Sequence, residues 1–177
     1  MSIQERTPSS QDNYIMRIPY LGILLVLTMV LDFLQSRLLP LYLNIDWTLV
    51  FVFYIGWSSN PVKGSLAGTV FGIAQDFLLG VMLGLNGVFK TLIGYFSSYL
   101  GTILNPDLEG LLRFVLIAFI SFVNNLTLYW FQHVLTNTRG AVPLWTVLSG
   151  AVLTGIAGDL LFRLLDRLQS RPKQFFS

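Results

Sequence analysis

Gly64-Ser-Leu-Ala-Gly68-Thr-Val-Phe-Gly72-Ile-Ala-Gln-Asp76-Phe-Leu-Leu-Gly80-Val-Met-Leu-Gly84-Leu-Asn-Gly-Val-Phe-Lys90 is the stretch whose reading decides the fold. Gly64, Gly68, Gly72, Gly80 and Gly84 recur every four residues, and Asp76 fills the gap in the series. Residues four apart on a helix sit nearly above one another, so the pattern predicts a groove bare of side chains with one carboxylate in it. In water each of these glycines would cost a helix roughly 1 kcal/mol against alanine. In lipid the backbone hydrogen bonds are obligatory and small residues at this spacing let a second helix come close. The stretch therefore predicts a membrane helix made to be packed against.

Composition agrees. Hydrophobic residues make up 54% of the 177 and charged residues 11%, where an ordinary soluble domain carries about 25% charged. That length holds about six spans of roughly 20 residues with short connections, and no sizeable soluble domain. The absence of cysteine excludes disulfides and thiol chemistry. The expected class is an all-α integral membrane protein, a six-helix transmembrane bundle.

Outward from the groove, three parts are expected: a polar N-terminal tail over 1–17, a six-span membrane domain over 18–165, and a basic tail over 166–177. Span one begins at Ile18 and carries no small-residue cleavage site after it, so it is read as a retained helix rather than a signal peptide. A Pro40-broken connection leads to Asp46, which is placed to cap a short second span. Asn60-Pro61 turns the chain into span three, and Gly84-Leu-Asn86-Gly87 reverses it into span four. Asn105-Pro106-Asp107 precedes span five, and a polar loop over 136–142 precedes span six. With the N-terminus inside, the inner face holds Arg6, Arg17, Lys63, Arg113, Arg163, Arg167, Arg171 and Lys173, and the outer face only Arg37, Lys90 and Arg139. Both termini are expected in the cytoplasm.

Gly72-Ile-Ala-Gln-Asp76-Phe-Leu78 recurs as Gly155-Ile-Ala-Gly-Asp159-Leu-Leu161. Inverted halves of a transporter-like fold would give such an echo, and so would coincidence within a small apolar alphabet. Gly155 and Gly158 make span six the expected packing partner of span three, with a partner subunit the alternative occupant of the groove. Asp76 and Lys90 lie at matched depth on either side of the reversal and are expected to pair, directly or through water, since an ion at that depth needs a partner; the alternatives are Lys90 turned outward with Asp76 bonding backbone or tyrosine hydroxyls, or a polar site for a substrate or proton. Asp159 is expected to pair with Arg163 four residues on, and Asn124 and Asn125 to join helices. His133 has no nearby serine or acid at a telling spacing, and no metal-ligand cluster or phosphate loop occurs. No cofactor, no enzyme activity and no nucleic-acid partner are expected.

These residues resemble the bacterial rod-shape-determining protein MreD family. The resemblance rests on Asp46-Trp-Thr-Leu, Tyr54-Ile-Gly-Trp57, the Gly64-to-Asp76 series, Gly80-x-x-x-Gly84-Leu-Asn-Gly87, Lys90 and Gly94-Tyr95, with Ile45 where the family carries proline. It implies a non-enzymatic scaffold subunit of the cell-elongation machinery. The implied partners are MreC, the RodA glycosyltransferase, a class B penicillin-binding transpeptidase and the actin-like MreB, with membrane lipid around it. The family also looks like the six-helix S-components of energy-coupling-factor vitamin transporters, which implies an alternative, a small-molecule-binding subunit. Against that alternative, span one lacks the Ala-x-x-x-Ala docking face and the outer connections are short.

Overall fold

A computed structural model of the chain describes residues 18–38, 45–80, 83–104, 110–136 and 144–169. They form six helices and no strand: α1 (Ile18–Leu38), α2 (Trp47–Ser58), α3 (Pro61–Leu79), α4 (Leu85–Ile103), α5 (Gly110–Thr136) and α6 (Leu144–Gln169). α6 runs past the expected boundary at 165. The expected tail over 1–17, the Pro40 connection, the Asp107 cap and all of the expected loop over 136–142 but Thr136, which ends α5, lie outside the described residues.

The local signals set the helix ends. Asp46 caps α2, its Oδ1 accepting from the Leu49 amide at 2.8 Å. Asn60 caps α3 by accepting from the Lys63 amide at 3.1 Å, with Pro61 at the first helical position. α3 stops at Gly80, which takes φ +65°, and α4 starts after Gly84 at φ +96°. Both glycines were expected to extend the packing groove. They are turn residues instead, held in the left-handed region that side chains avoid, and a Cβ built on either meets nothing within 4 Å.

The groove of α3 faces α4 and α2. A Cβ placed on Gly72 would stand 2.6 Å from the Asn86 carbonyl oxygen, and one on Gly64 would stand 3.0 Å from Gly56 Cα. At Gly68 it would run into the Lys90 carbonyl, and at Gly94 into that of Gly64. Three backbones thus pass at distances only glycine allows. Among the described residues α3 packs on α4, α2 and α1, and not on α6 as expected. α4 follows α3 after a short reversal and carries its own Gly87, Gly94 and Ser97, so the two bare faces close on each other first. Gly155 and Gly158 of α6 meet Phe114, Ala118 and Ile117 of α5.

The centre of the molecule is α2. All nine residues from Thr48 to Gly56 are buried, and α2 packs against each of the other five helices. A helix apolar on every side has no face to offer water, and the interior is its natural place. Phe53 and Tyr54 pack on Phe162 of α6, with ring centroids 6.0 and 4.9 Å apart, and Leu49 and Ile117 complete that cluster. The 12 residues of α2 rise about 18 Å, well short of a hydrocarbon core of about 30 Å.

Polarity is arranged inside out. Among the described residues, 13 buried side chains are polar or charged against 12 that are apolar. Meanwhile Ile23, Val26, Leu66, Phe77, Val88, Phe119 and Leu160 are half-exposed or more. Water would reward the opposite arrangement. Two helices, over Gly110–Phe131 and Leu144–Leu165, are long and apolar enough to cross a membrane.

Candidate functional site

The buried polar residues gather at one level of the bundle. On α1, Thr28, Asp32 and Gln35 follow the i, i+4, i+7 spacing of one helix face, and all three are buried. Asp32 Oδ2 accepts from Thr48 Oγ1 of α2 at 2.5 Å and from Gln75 Nε2 of α3 at 3.0 Å. The amide oxygen of Gln75 accepts from Lys90 Nζ of α4. Gln75 is thereby fixed in orientation, its amide turned towards a carboxylate and its carbonyl towards an ammonium.

Lys90 is wholly buried and makes its ion pair with Asp46, Nζ to Oδ1 at 2.9 Å. Asp46 has three further contacts. Its Oδ1 also caps α2, its amide donates to Thr154 Oγ1 of α6 at 3.1 Å, and its Oδ2 lies 3.5 Å from Asn124 Nδ2 of α5. A second arm fastens α1 to the start of α2: Trp47 Nε1 donates to Gln35 Oε1 at 3.0 Å and Gln35 Nε2 to the Ile45 carbonyl at 3.2 Å. Every one of the six helices contributes a side chain to this cluster.

Asp76 does not pair with Lys90. Its two oxygens accept from the amides of Gly84, Asn86 and Gly87, at 2.9, 3.2 and 3.3 Å, and from Asn86 Nδ2 at 2.7 Å. The carboxylate at the end of α3 thus caps the first turn of α4, where unsatisfied amides and the helix dipole both favour a negative charge. Helical rise put Asp76 and Lys90 at the same depth. What it could not show is that the amides of the reversal fill the carboxylate's acceptor sites before the lysine reaches it.

Five residues beyond Thr154 on α6, Asp159 Oδ2 accepts from Arg163 Nε at 2.7 Å, as the spacing predicts. Gly110 at the start of α5 lies against this pair, and a Cβ there would meet it. Asp76 and Asp159, alike in the sequence echo, therefore do different work. His133 is exposed and stacked on Tyr129. Asn125 reaches Ser121 Oγ at 3.5 Å.

Sequence reasoning missed Asp32, Gln35, Gln75 and Thr154. The signal for the first two was present, since a threonine, an acid and an amide on one stripe of an otherwise apolar helix mark an inward face. The chemistry on offer is ionic and hydrogen-bonding. The buried Ser97 and Ser98 give their hydroxyls to the carbonyls of Gly94 and Ser59. Among the described residues, no three His, Asp or Glu side chains converge as a metal centre would require. No family profile, curated protein or solved structure matches the chain.

Proposed function

We propose that the chain is a multi-pass membrane protein of the MreD type. In this reading it is a six-helix transmembrane bundle with both termini in the cytoplasm, acting as a non-enzymatic scaffold of the bacterial cell-elongation complex. One observation carries the reading: the charged groups are spent on joining helices. Asp76 closes the α3–α4 turn, Asp46 and Lys90 tie α2 to α4, and Asp32 ties α1 to α2 and α3. A polar interior wrapped in exposed apolar side chains suits lipid surroundings, where ionisable residues turn inward and pair. The motifs that carry the family resemblance fall on the elements that build this core: Asp46-Trp-Thr-Leu at the start of α2, the glycine series on α3, and Lys90 on α4.

The S-component alternative draws on one feature, the short α2, whose N-terminus starts inside the bundle beside a charged cluster. Broken helices of that kind line substrate sites in transporters. Affinity purification of the tagged full chain in mild detergent separates the two. Co-recovery of MreC and a class B transpeptidase is the expected result, and recovery of a transporter ATPase module in their place would overturn the scaffold reading.

A further inference from the structure

Three acids lie in or beside the polar cluster, and each is answered differently. Asp46 meets the Lys90 ammonium and the first turn of α2. Asp76 spreads four donors over both of its oxygens, three of them backbone amides at the start of α4. Asp32, 7% exposed on α1, has neither an ammonium nor such a cradle. Its side-chain donors are Thr48 Oγ1 and Gln75 Nε2, both neutral, and both fall on Oδ2. Among the described residues no side chain donates to Asp32 Oδ1.

The charges that face Asp32 come from two elements. α2 brings the Asp46 carboxylate and α4 the Lys90 ammonium, opposite in sign and already paired with each other. α2 also turns the Trp47 amide towards it, and α3 brings Gln75, whose carbonyl accepts from the same ammonium. Asp76 of α3 is engaged with the α3–α4 reversal. No charge in this group is left over to balance a second carboxylate. A carboxylate buried without a counter-ion is costly, and such groups commonly stay neutral by keeping a proton. A hydroxyl and an amide N–H serve the carbonyl oxygen of a carboxylic acid as they serve a carboxylate. Two donors on one oxygen leave the other as the seat of the proton.

We propose that Asp32 binds a proton on Oδ1 in the folded bundle, and that the docking of α1 takes up that proton from solution. α1 is held by the packing of Leu25 and by two polar stations, Asp32 on Thr48 and Gln75, and Gln35 on Trp47 and Ile45. Losing the proton sets a second carboxylate near that of Asp46 and weakens one of the two stations. The seating of α1 is therefore a pH-sensitive step. The inference goes beyond the scaffold reading and does not rest on it, since burial within the described fold sets the cost whatever surrounds the bundle.

The test uses the full chain purified in detergent, with thermal unfolding followed between about pH 5 and about pH 8. In the unfolded chain Asp32 is a carboxylate over that range, so folding binds one proton more and stability falls as pH rises. Relative to Asp32→Asn, which mimics the protonated acid, the parent's midpoint is expected to fall by up to about 3 °C per pH unit. Infrared difference spectroscopy near about pH 6, where exposed carboxyls are ionised, should show the C=O stretch of a neutral carboxylic acid in the parent and none in Asp32→Asn. Should Asp32→Asn fail to fold, the parent's infrared band decides the matter alone. Absence of that band, or a pH dependence that Asp32→Asn leaves unchanged, overturns the proposal.

Discussion

Replacing Lys90 with methionine tests the central pairing directly. The ammonium is fully buried, and its two partners, Asp46 Oδ1 and the Gln75 carbonyl, are held by other bonds and cannot follow it. Methionine keeps most of the stem's packing, so the loss is electrostatic. Removing one member of a buried ion pair typically costs about 3–5 kcal/mol, because the other is left charged and desolvated. For a chain of this size that lowers the unfolding midpoint by about 10 °C. Adding Asp46→Asn should recover much of the loss, since asparagine removes the stranded charge and caps a helix about as well as aspartate. Adding Asp76→Asn to Lys90→Met should recover nothing, because Asp76 serves the amides of Gly84, Asn86 and Gly87. The assay is thermal unfolding in detergent for the parent, the single variant and both doubles. Rescue by Asp76→Asn and not by Asp46→Asn would refute the assignment.

Three further outcomes are expected. Gly68→Leu should destabilise the fold by well over the roughly 1–3 kcal/mol of ordinary overpacking, read as a lowered thermal midpoint, because the backbone of Lys90 lies in the way; Gly22→Ala, which meets nothing within 4 Å, should be close to neutral in the same melt. Asp76→Ala should cost about 2 kcal/mol or more through the unsatisfied amides of the reversal, and Asp76→Asn less, as read by urea or thermal unfolding of the two purified variants. A periplasm-active reporter fused at Ser177 should stay silent and a cytoplasm-active one should work; the reverse would sink the proposed topology.

Much of the architecture was legible because its signals are local. Asp46, Asn60-Pro61 and the glycines of the reversal act on their own neighbours, and the ends of α2, α3 and α4 follow from them. The bare face of α3 was legible too, but its partner was not. A four-residue glycine series says that something comes close and does not say what; proximity along the chain decided for α4. The partner of Lys90 was hidden for a related reason. Asp46 has two oxygens, and its capping role used up the explanation for its presence while leaving room for an ammonium 44 positions away. Asp32 and Gln75 join the cluster through an amide bridge that no spacing rule encodes. The central place of α2 was written in its uncharged, all-round apolar sequence, yet its brevity made it look like the least of the spans.

That brevity bears on how the chain enters a membrane. In the membrane reading proposed above, twelve residues with an acid at their head are a poor stop for an inserting polypeptide, which favours about 20 apolar residues. In that reading the Asp46 charge finds its partner only once Lys90 is made, more than thirty residues after α2 ends. The innermost helix of the finished bundle is thus among the last to be committed. A nascent chain halted before α4 would present its future core as its least settled part.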